Sequence, residues 1–312
     1  MSKQAVHPVK RLRKLRGGRD LFHSNIAYAY LALWLVGVVS LQLYPFIMSL
    51  TYSFTNYSMI RATKFIGFAN YQKALFDDPI VYQSIKATLT YVFFSVPFKL
   101  AFALFIAVLL NMKLRAIGVF RLLYYLPSIL GGSVGIAIMW RYLFNRRGYV
   151  NLLLAQIGVG PIDFIGSPDL AIYTISLLGI WQFGSAMVLF LSALKQVPTE
   201  LIEAAKIDGA GKILTFWKIT IPLITPTIFF NLIMQTISAF QQFQAPYNIT
   251  HGGPLNSTYL YGLMLYENAF KSLNMGYACA QSWILFLMIL AFTALVFKSS
   301  PYWTFYSDGG DF

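Results

Sequence analysis

The sequence predicts an all-α polytopic membrane protein with about six transmembrane helices, each near the length that crosses a bilayer. Three observations carry that expectation. Of 312 residues, 57% are hydrophobic and only 11% charged, with a mean hydropathy of +0.61. A soluble domain carries about a quarter charged residues, so this chain has too few to cover a globular surface in water. The charges are also segregated, leaving long stretches with none. Finally, the basic residues gather mostly in alternate connections, as the positive-inside rule expects.

The elements follow in order. Residues 1–25 form a basic segment with Lys3, Lys10, Arg11, Arg13, Lys14, Arg16 and Arg19. No Asp, Glu, Lys or Arg then occurs between Asp20 and Arg61, which predicts a first span near 26–50. Its apolar run is too long for a signal h-region and no small-residue cleavage site follows, so it reads as an uncleaved helix. A loop from Thr51 to Ile85, rich in aromatic residues between Phe65 and Tyr71, suggests pieces lying at the interface. A second span is expected near 87–111, interrupted only by Lys99. Charge-free gaps from Arg121 to Arg141 and from Asp169 to Lys195 place spans near 119–141 and 170–194. Those from Lys218 to Glu267 and from Lys271 to Lys298 place spans near 221–244 and 276–297. Residues 26–298 thus form a membrane domain, and 299–312 a short tail.

Lys113, Arg115, Lys195, Lys206, Lys212, Lys218 and Lys298 fall on the same side as the N-terminal segment if both termini are cytoplasmic. Arg61, Lys64, Lys73, Arg146, Arg147 and Lys271 fall on the other side, so the bias is clear but imperfect. The net charge of +13 is therefore read as an orientation signal and not as a nucleic-acid surface. A closed β-barrel is excluded, because the apolar runs are continuous and not alternating. The lone Cys279 and the scattered His7, His23 and His251 offer no disulfide framework and no metal-ligand set.

The connection from Lys195 to Pro222 has its own structure. Thr199 is a plausible N-cap, and Glu200 complements the helix N-terminus. Leu201 to Asp208 is a short Ala-rich helix that Gly209 stops at the C′ position. Lys212 to Ile219 starts a second helix, and Pro222 sits where the fifth span begins. This predicts a helical hairpin in which Ala204 and Ala205 offer a small-side-chain surface. Gly209-Ala210-Gly211-Lys212 looks faintly like a phosphate loop, but that loop needs Gly at 206 and Ser or Thr at 213, where Lys and Ile stand. The chain is thus expected to have no ATP site of its own and no catalytic residues.

Glu203-Ala204-Ala205, three further residues and Gly209, then Ile221-Pro222 a dozen residues on, resemble the signature loop of binding-protein-dependent ABC importer permeases. Phe65 to Tyr71, Asn111, Thr250-His251-Gly252-Gly253-Pro254 and Tyr266 to Phe270 resemble its carbohydrate-uptake branch, so that the likeness covers about residues 25 to 300. The resemblance implies a type I ABC importer fold, in which the hairpin is a coupling helix docking on a separate ATPase. Glu203 would pair with a basic residue there, Ala204 and Ala205 would pack into its cleft, and Asp208, Gly209 and Ala210 would form the turn. It implies as partners a second homologous permease chain, an ATPase dimer carrying ATP and Mg²⁺, an extracytoplasmic solute-binding protein and membrane lipid, in a bacterial inner membrane. The cargo would be a sugar or oligosaccharide.

An ion-gradient carrier or a non-transporting scaffold are the alternatives. None of the acidic residues falls inside a predicted span, whereas proton-coupled carriers commonly place Asp or Glu in the membrane. Asn231, Gln235, Ser238 and Gln242 recur at spacings of four, three and four, on one helical face. That face suits either a hydroxyl-compatible translocation path or interhelical hydrogen bonding. Lys99, two residues after Pro97, either contacts an acidic cargo such as a uronate-containing oligosaccharide, or snorkels, or binds carbonyls that Pro97 frees. Tyr124, Tyr125, Trp181 and Gln182 add surfaces that stack on sugar rings or simply pack.

Overall fold

The computed structural model describes residues 25–60, 62–112 and 116–305. The basic N-terminal segment, Arg61, Lys113, Arg115 and the end of the tail lie outside the described residues, and so do the expectations that rest on them. The described residues are helices and connections, with an isolated bridge between Thr55 and Phe65. The chain divides into two compact units, residues 1–51 and 52–312.

In the first unit, α1 (Asn25–Val38) continues through a π-turn at Val39–Leu43 into α2 (Tyr44–Ser53). Leu31–Ser53 is long and apolar enough to cross a membrane, and its large apolar side chains, such as Leu33 and Leu41, are exposed. A helix that is apolar all round suits lipid as a solvent.

In the second unit, α3 (Ala69–Gln72) lies in the loop before α4 (Pro79–Leu110). Asn70 Nδ2 ties that loop by donating to the Ser53 and Thr55 carbonyls at 2.8 Å each. Asp78 caps α4 by accepting from the Ile80 N–H, and Pro79 fills a first-turn position that needs no donor. The helix begins earlier than the charge pattern suggested, because Lys86 sits on an exposed part of the helix surface and does not interrupt it. Its buried face includes Ser84, Thr88, Tyr91, Ser95, Ala103 and Ala107, at steps of three or four or their sums, with Ala87 beside them. Small residues on that stripe let neighbouring helices approach closely, which is how helices associate in lipid.

The third predicted span is bent. The helices α5 (Ile117–Leu130) and α6 (Val134–Phe144) meet at Gly131–Ser133, where Ser133 caps α6 by accepting from Ile136 N–H. The α5 axis makes an angle of 97° with the segment that runs on through α7 (Tyr149–Gln156). The fourth span is likewise two helices, α8 (Pro168–Trp181) and α9 (Gly184–Gln196), at 45°. Helix α10 (Thr199–Ile207) follows, and α11 (Lys212–Thr215) runs through a π-turn at Phe216–Thr220 into α12 (Ile221–Phe240). The fifth span therefore does not begin at Pro222: Lys212–Phe240 forms one continuous 29-residue helix. The Ile221 N–H bonds back to the Phe216 carbonyl, shifting the hydrogen-bond register just before a proline that cannot donate.

Beyond α12 lie α13 (Gln244–Ile249), α14 (Tyr261–Tyr266) and α15 (Met275–Ser299). Counting each bent pair once gives six spans. Helix α4 is central: α8, α9 and α12 pack along it. Between α13 and α15, Tyr259 donates to Glu267 at 2.7 Å and Lys271 pairs with the same carboxylate at 2.6 Å. Burial first, and then this carboxylate, push the Tyr259 phenol above its usual range, and the hydrogen bond to Glu267 holds the Lys271 amine up. At the other end of α15, the Phe305 N–H donates to Thr225 Oγ1 at 2.8 Å, folding the chain after Ser299 back onto the start of α12.

Candidate functional site

Two constellations gather the residues that the sequence singles out. The first is the hairpin between α9 and α12. Pro198 (φ −59°, ψ 129°) occupies the N-cap position of α10, so Thr199 is the first helical residue and caps nothing, contrary to the sequence expectation. The proline itself sets the entry direction by its fixed φ. Glu200 in the first turn and Lys206 in the last complement the helix dipole. At the other end the Gly209 N–H bonds the Lys206 carbonyl and the Ala210 N–H bonds the Ala205 carbonyl, at 3.1 and 2.8 Å. This is the paired bonding of a Schellman ending, and Gly209 sits at φ +81°, the left-handed conformation that ending needs.

The two alanines point in different directions. Ala205 is 8% exposed, so it packs inside this chain and is not free to enter a partner's cleft. Ala204, Glu203, Asp208 and Gly209 are exposed, and Ala210 is half-buried. Ile202, Lys206 and Ala210 close a cavity of about 320 Å³ against Val108 and Asn111 from α4 and Leu194 from α9. The hairpin is thus seated on the ends of two spans. Ile207, one turn on from Glu203 along α10, is 87% exposed, and Ile213 and Trp217 after the turn are 78 and 63% exposed, apolar side chains that the sequence does not single out.

The second constellation lies within the bundle. Lys99, Gln235, Ser238 and Gln242 line one small cavity of about 100 Å³. They are joined there by Tyr91 and Ser95 from α4 and by Gln182 and Gly179 from the broken fourth span. Two expectations need correction. Gln242 is not on the helical face of Gln235 and Ser238, because α12 ends at Phe240; its side chain reaches the cavity from the connection to α13. Asn231 is fully buried and does not line the cavity, and neither its amide oxygen nor its nitrogen has a hydrogen-bond partner. It therefore meets neither of the readings proposed for it. Ser238 spends its hydroxyl on the Met234 carbonyl at 2.9 Å.

Tyr91 and Ser95 were missed, although a signal was present: Tyr91, Ser95 and Lys99 recur every four residues on one face of α4. The Tyr91 hydroxyl interacts with Gln242 and Ser95. It fits because Gly179 has no side chain, since a Cβ there would lie 2.5 Å from the phenol oxygen. Gln182 Nε2 donates to the Gly131 carbonyl at 3.0 Å, joining the break in the fourth span to the bend in the third. Gly184 brings α9 against α5; a Cβ there would come within 2.9 Å of Tyr124 O and Tyr125 Cα. Tyr124 and Trp181 line a separate, largely apolar cavity of about 530 Å³ with Phe102, Phe120 and Phe183.

Bilayer-length helices of the second unit packed around a polar cavity, with a surface hairpin seated on two span ends, define a polytopic helical permease. Residues 83–300 match the family described as the binding-protein-dependent transport system inner membrane component, and the chain belongs to that family. It is 44% identical to the probable ABC transporter permease protein YesP of Bacillus subtilis, covering 94% of this chain and 96% of that protein. It is 36% identical to the sulfoquinovosyl glycerol transport system permease protein SmoG of Agrobacterium fabrum, covering 75 and 76%. Among solved structures it resembles a bacterial alginate ABC transporter in complex with an alginate pentasaccharide-bound periplasmic protein. That likeness has a TM-score of 0.77 and 22% identity, over 90% of this chain and 96% of that one. The chain is accordingly a multi-pass inner-membrane ABC importer permease, a transport component.

Proposed function

We propose that this chain forms part of the membrane path for a saccharide, and that α10 is the lever through which a separate ATPase drives it. The observation that carries the reading is the hairpin. It exposes Glu203 and Ala204 together with the apolar side chains of Ile207, Ile213 and Trp217, while Ile202 packs against the core and faces the ends of α4 and α9 across a cavity. Apolar surface rimmed by polar residues marks a protein-binding face. ATP and Mg²⁺ belong to the partner, because the chain's one phosphate-loop-like stretch lacks the required residues.

The rest of the assembly follows the relatives. Permeases named for lactose and for multiple sugars support a saccharide cargo, and the alginate transporter bound to its periplasmic protein supports delivery by a solute-binding protein. A second permease chain would complete the path. The bond from the Phe305 N–H to Thr225 Oγ1 brings Phe305 to the start of α12, the end of that helix from which the hairpin leads in. Cytoplasmic termini, with residues 1–25 and 299–312 flanking the membrane domain 26–298, fit that arrangement and the basic bias. In this scheme Asp208, Gly209 and Ala210 hold the turn, and Gln235, Ser238, Gln242 and Lys99 face the cargo. Asn231, enclosed in the bundle, is left out of the path.

The test is reconstitution in lipid vesicles with the second permease, the ATPase and the binding protein. Glu203→Lys is expected to abolish uptake and stimulated ATP hydrolysis while the chain still inserts. Uptake at the wild-type rate would refute the coupling role.

A further inference from the structure

Lys99 is a cation without a countercharge. It lies within α4, and the acidic residue that the described spans hold, Asp169 in the first turn of α8, lines a different cavity with Lys86 and Thr90. Among the described residues the ion pair is Lys271 with Glu267, far along the chain, so no carboxylate lies within 4.0 Å of the Lys99 amine. Nor does that amine donate to a backbone carbonyl, which removes the idea that it serves the groups freed by Pro97. Snorkelling fails on distance. Eleven residues separate Lys99 from the end of α4 at Leu110, roughly 16 Å of helix at ~1.5 Å per residue, further than a four-carbon stem reaches. The side chain is instead half-buried and lines the cavity of about 100 Å³ with Tyr91, Ser95, Gln182, Gln235, Ser238 and Gln242.

Those neighbours are all neutral, and each carries a hydroxyl or amide that can both donate and accept. A charged side chain in the membrane interior is costly unless something compensates it, and it ordinarily marks a substrate or ion path. Here the chain supplies polar company and no opposite charge. We propose that the countercharge arrives with the cargo: Lys99 recognises an anionic substituent (a carboxylate, sulfonate or phosphate oxygen) on a saccharide. The surrounding amides and hydroxyls then take the sugar hydroxyls next to it. The cavity admits such a group with a few waters, each needing about 30 Å³, so in this chain it is a subsite for the substituent and not for a whole ring. This rests on the reading of the chain as a saccharide permease.

The experiment uses the complete reconstituted assembly and paired probes. Each pair is an anionic saccharide (an oligouronate, a sulfonated glycoside, a phosphorylated sugar) and its neutral counterpart, such as the methyl ester of the uronate. Wild-type vesicles are expected to take up at least one anionic member in preference to its neutral partner. Lys99→Met should raise the half-saturating concentration for that probe about ten- to a hundredfold, the scale of a lost hydrogen bond to a charged group, and Lys99→Arg should restore most of it. Uptake confined to neutral probes would leave the saccharide reading standing and overturn the anion assignment. So would a Lys99→Met variant that imports the anionic probe normally. Loss of assembly with the second permease in Lys99→Met would also overturn it, since the lysine's partner would then be protein. Failure to move any saccharide while ATP turnover persists would instead overturn the saccharide reading, and this inference with it.

Discussion

The hairpin at α10 and the cavity around Lys99 are built in opposite ways. The hairpin is local: Pro198, Glu200, Gly209 and the bonds from Gly209 and Ala210 lie within a dozen residues, and its conformation is set by turn and cap chemistry. The cavity is assembled from α4, the break between α8 and α9, α12 and the connection beyond it, residues more than 140 positions apart along the chain. A local element can present side chains outward to another protein. A composite one can change volume whenever its helices shift. The difference teaches a division of labour, in which one region receives motion and the other converts it into access, and mutations should separate the two.

The sharpest break comes from Glu203→Lys. Glu203 is exposed and has no ion-pair partner among the described residues, so reversing its charge should leave the fold and thermal midpoint untouched. Uptake and cargo-stimulated ATP hydrolysis should nevertheless fall to background. A lowered midpoint in detergent would mean that the hairpin is structural and the contrast is false.

Next in size is the packing beneath the cavity. Gly184→Leu puts a side chain where even a Cβ would come within 2.9 Å of the α5 backbone, and where the Ser185 N–H reaches Ser128 Oγ at 3.2 Å. Overpacking of this kind costs about 1–3 kcal/mol, and backbone neighbours cannot rotate away. The thermal midpoint should fall and the yield of folded permease with it, with uptake lost only in proportion. Loss of ATPase coupling at unchanged stability would contradict the assignment of α5 and α9 to the bundle.

This contrast also explains what was legible beforehand. The spans could be read from charge-free gaps, because lipid demands continuous apolar helix. The Gly209 turn was legible because few residues tolerate a φ of +81°. The bend at Gly131–Ser133 and the break at Gln182 were not, since a gap in charge looks the same whether the helix inside it is straight or folded. Gln235 and Ser238 line the cavity from one face of α12. Gln242 reached it for a different reason, and Asn231 was misjudged because periodicity fixes a direction around the helix but not what lies opposite it. The residue type of Thr199 favours a cap, but Pro198 already holds that position.

A smaller effect tests the turn alone. A Cβ at Gly209 would meet no atom within 4 Å, so the penalty of Gly209→Val is mainly conformational, about 1–2 kcal/mol for a left-handed residue and confined to the hairpin. Binding to the ATPase should weaken by roughly tenfold while the thermal midpoint of the bundle stays in place. Gly209→Asn, which tolerates the conformation, should keep most of the affinity. Equal losses in both variants would show that the position is read by contact and not by shape.

The smallest effect bears on the link between the two helix breaks. Gln182 donates to the Gly131 carbonyl and lines the cavity with Lys99, so it has both a structural and a polar role. Interhelical hydrogen bonds in membranes average about 0.6 kcal/mol and rarely exceed ~1.7. Gln182→Leu should therefore lower stability by about that much, a shift of the thermal midpoint near the limit of detection, and raise the half-saturating cargo concentration severalfold. Gln182→Glu separates the roles. It also removes the donor to Gly131, so the structural loss should be similar, but it brings a carboxylate into the cavity that Lys99 lines. If the cavity works by presenting an uncompensated cation, this variant should impair an anionic saccharide far more than Gln182→Leu does, and added salt should not restore uptake, because buried charges are poorly screened. Equal impairment in the two variants would reduce Gln182 to a stitch between helices, and would place the cavity with the hairpin among parts that transmit motion without reading the cargo.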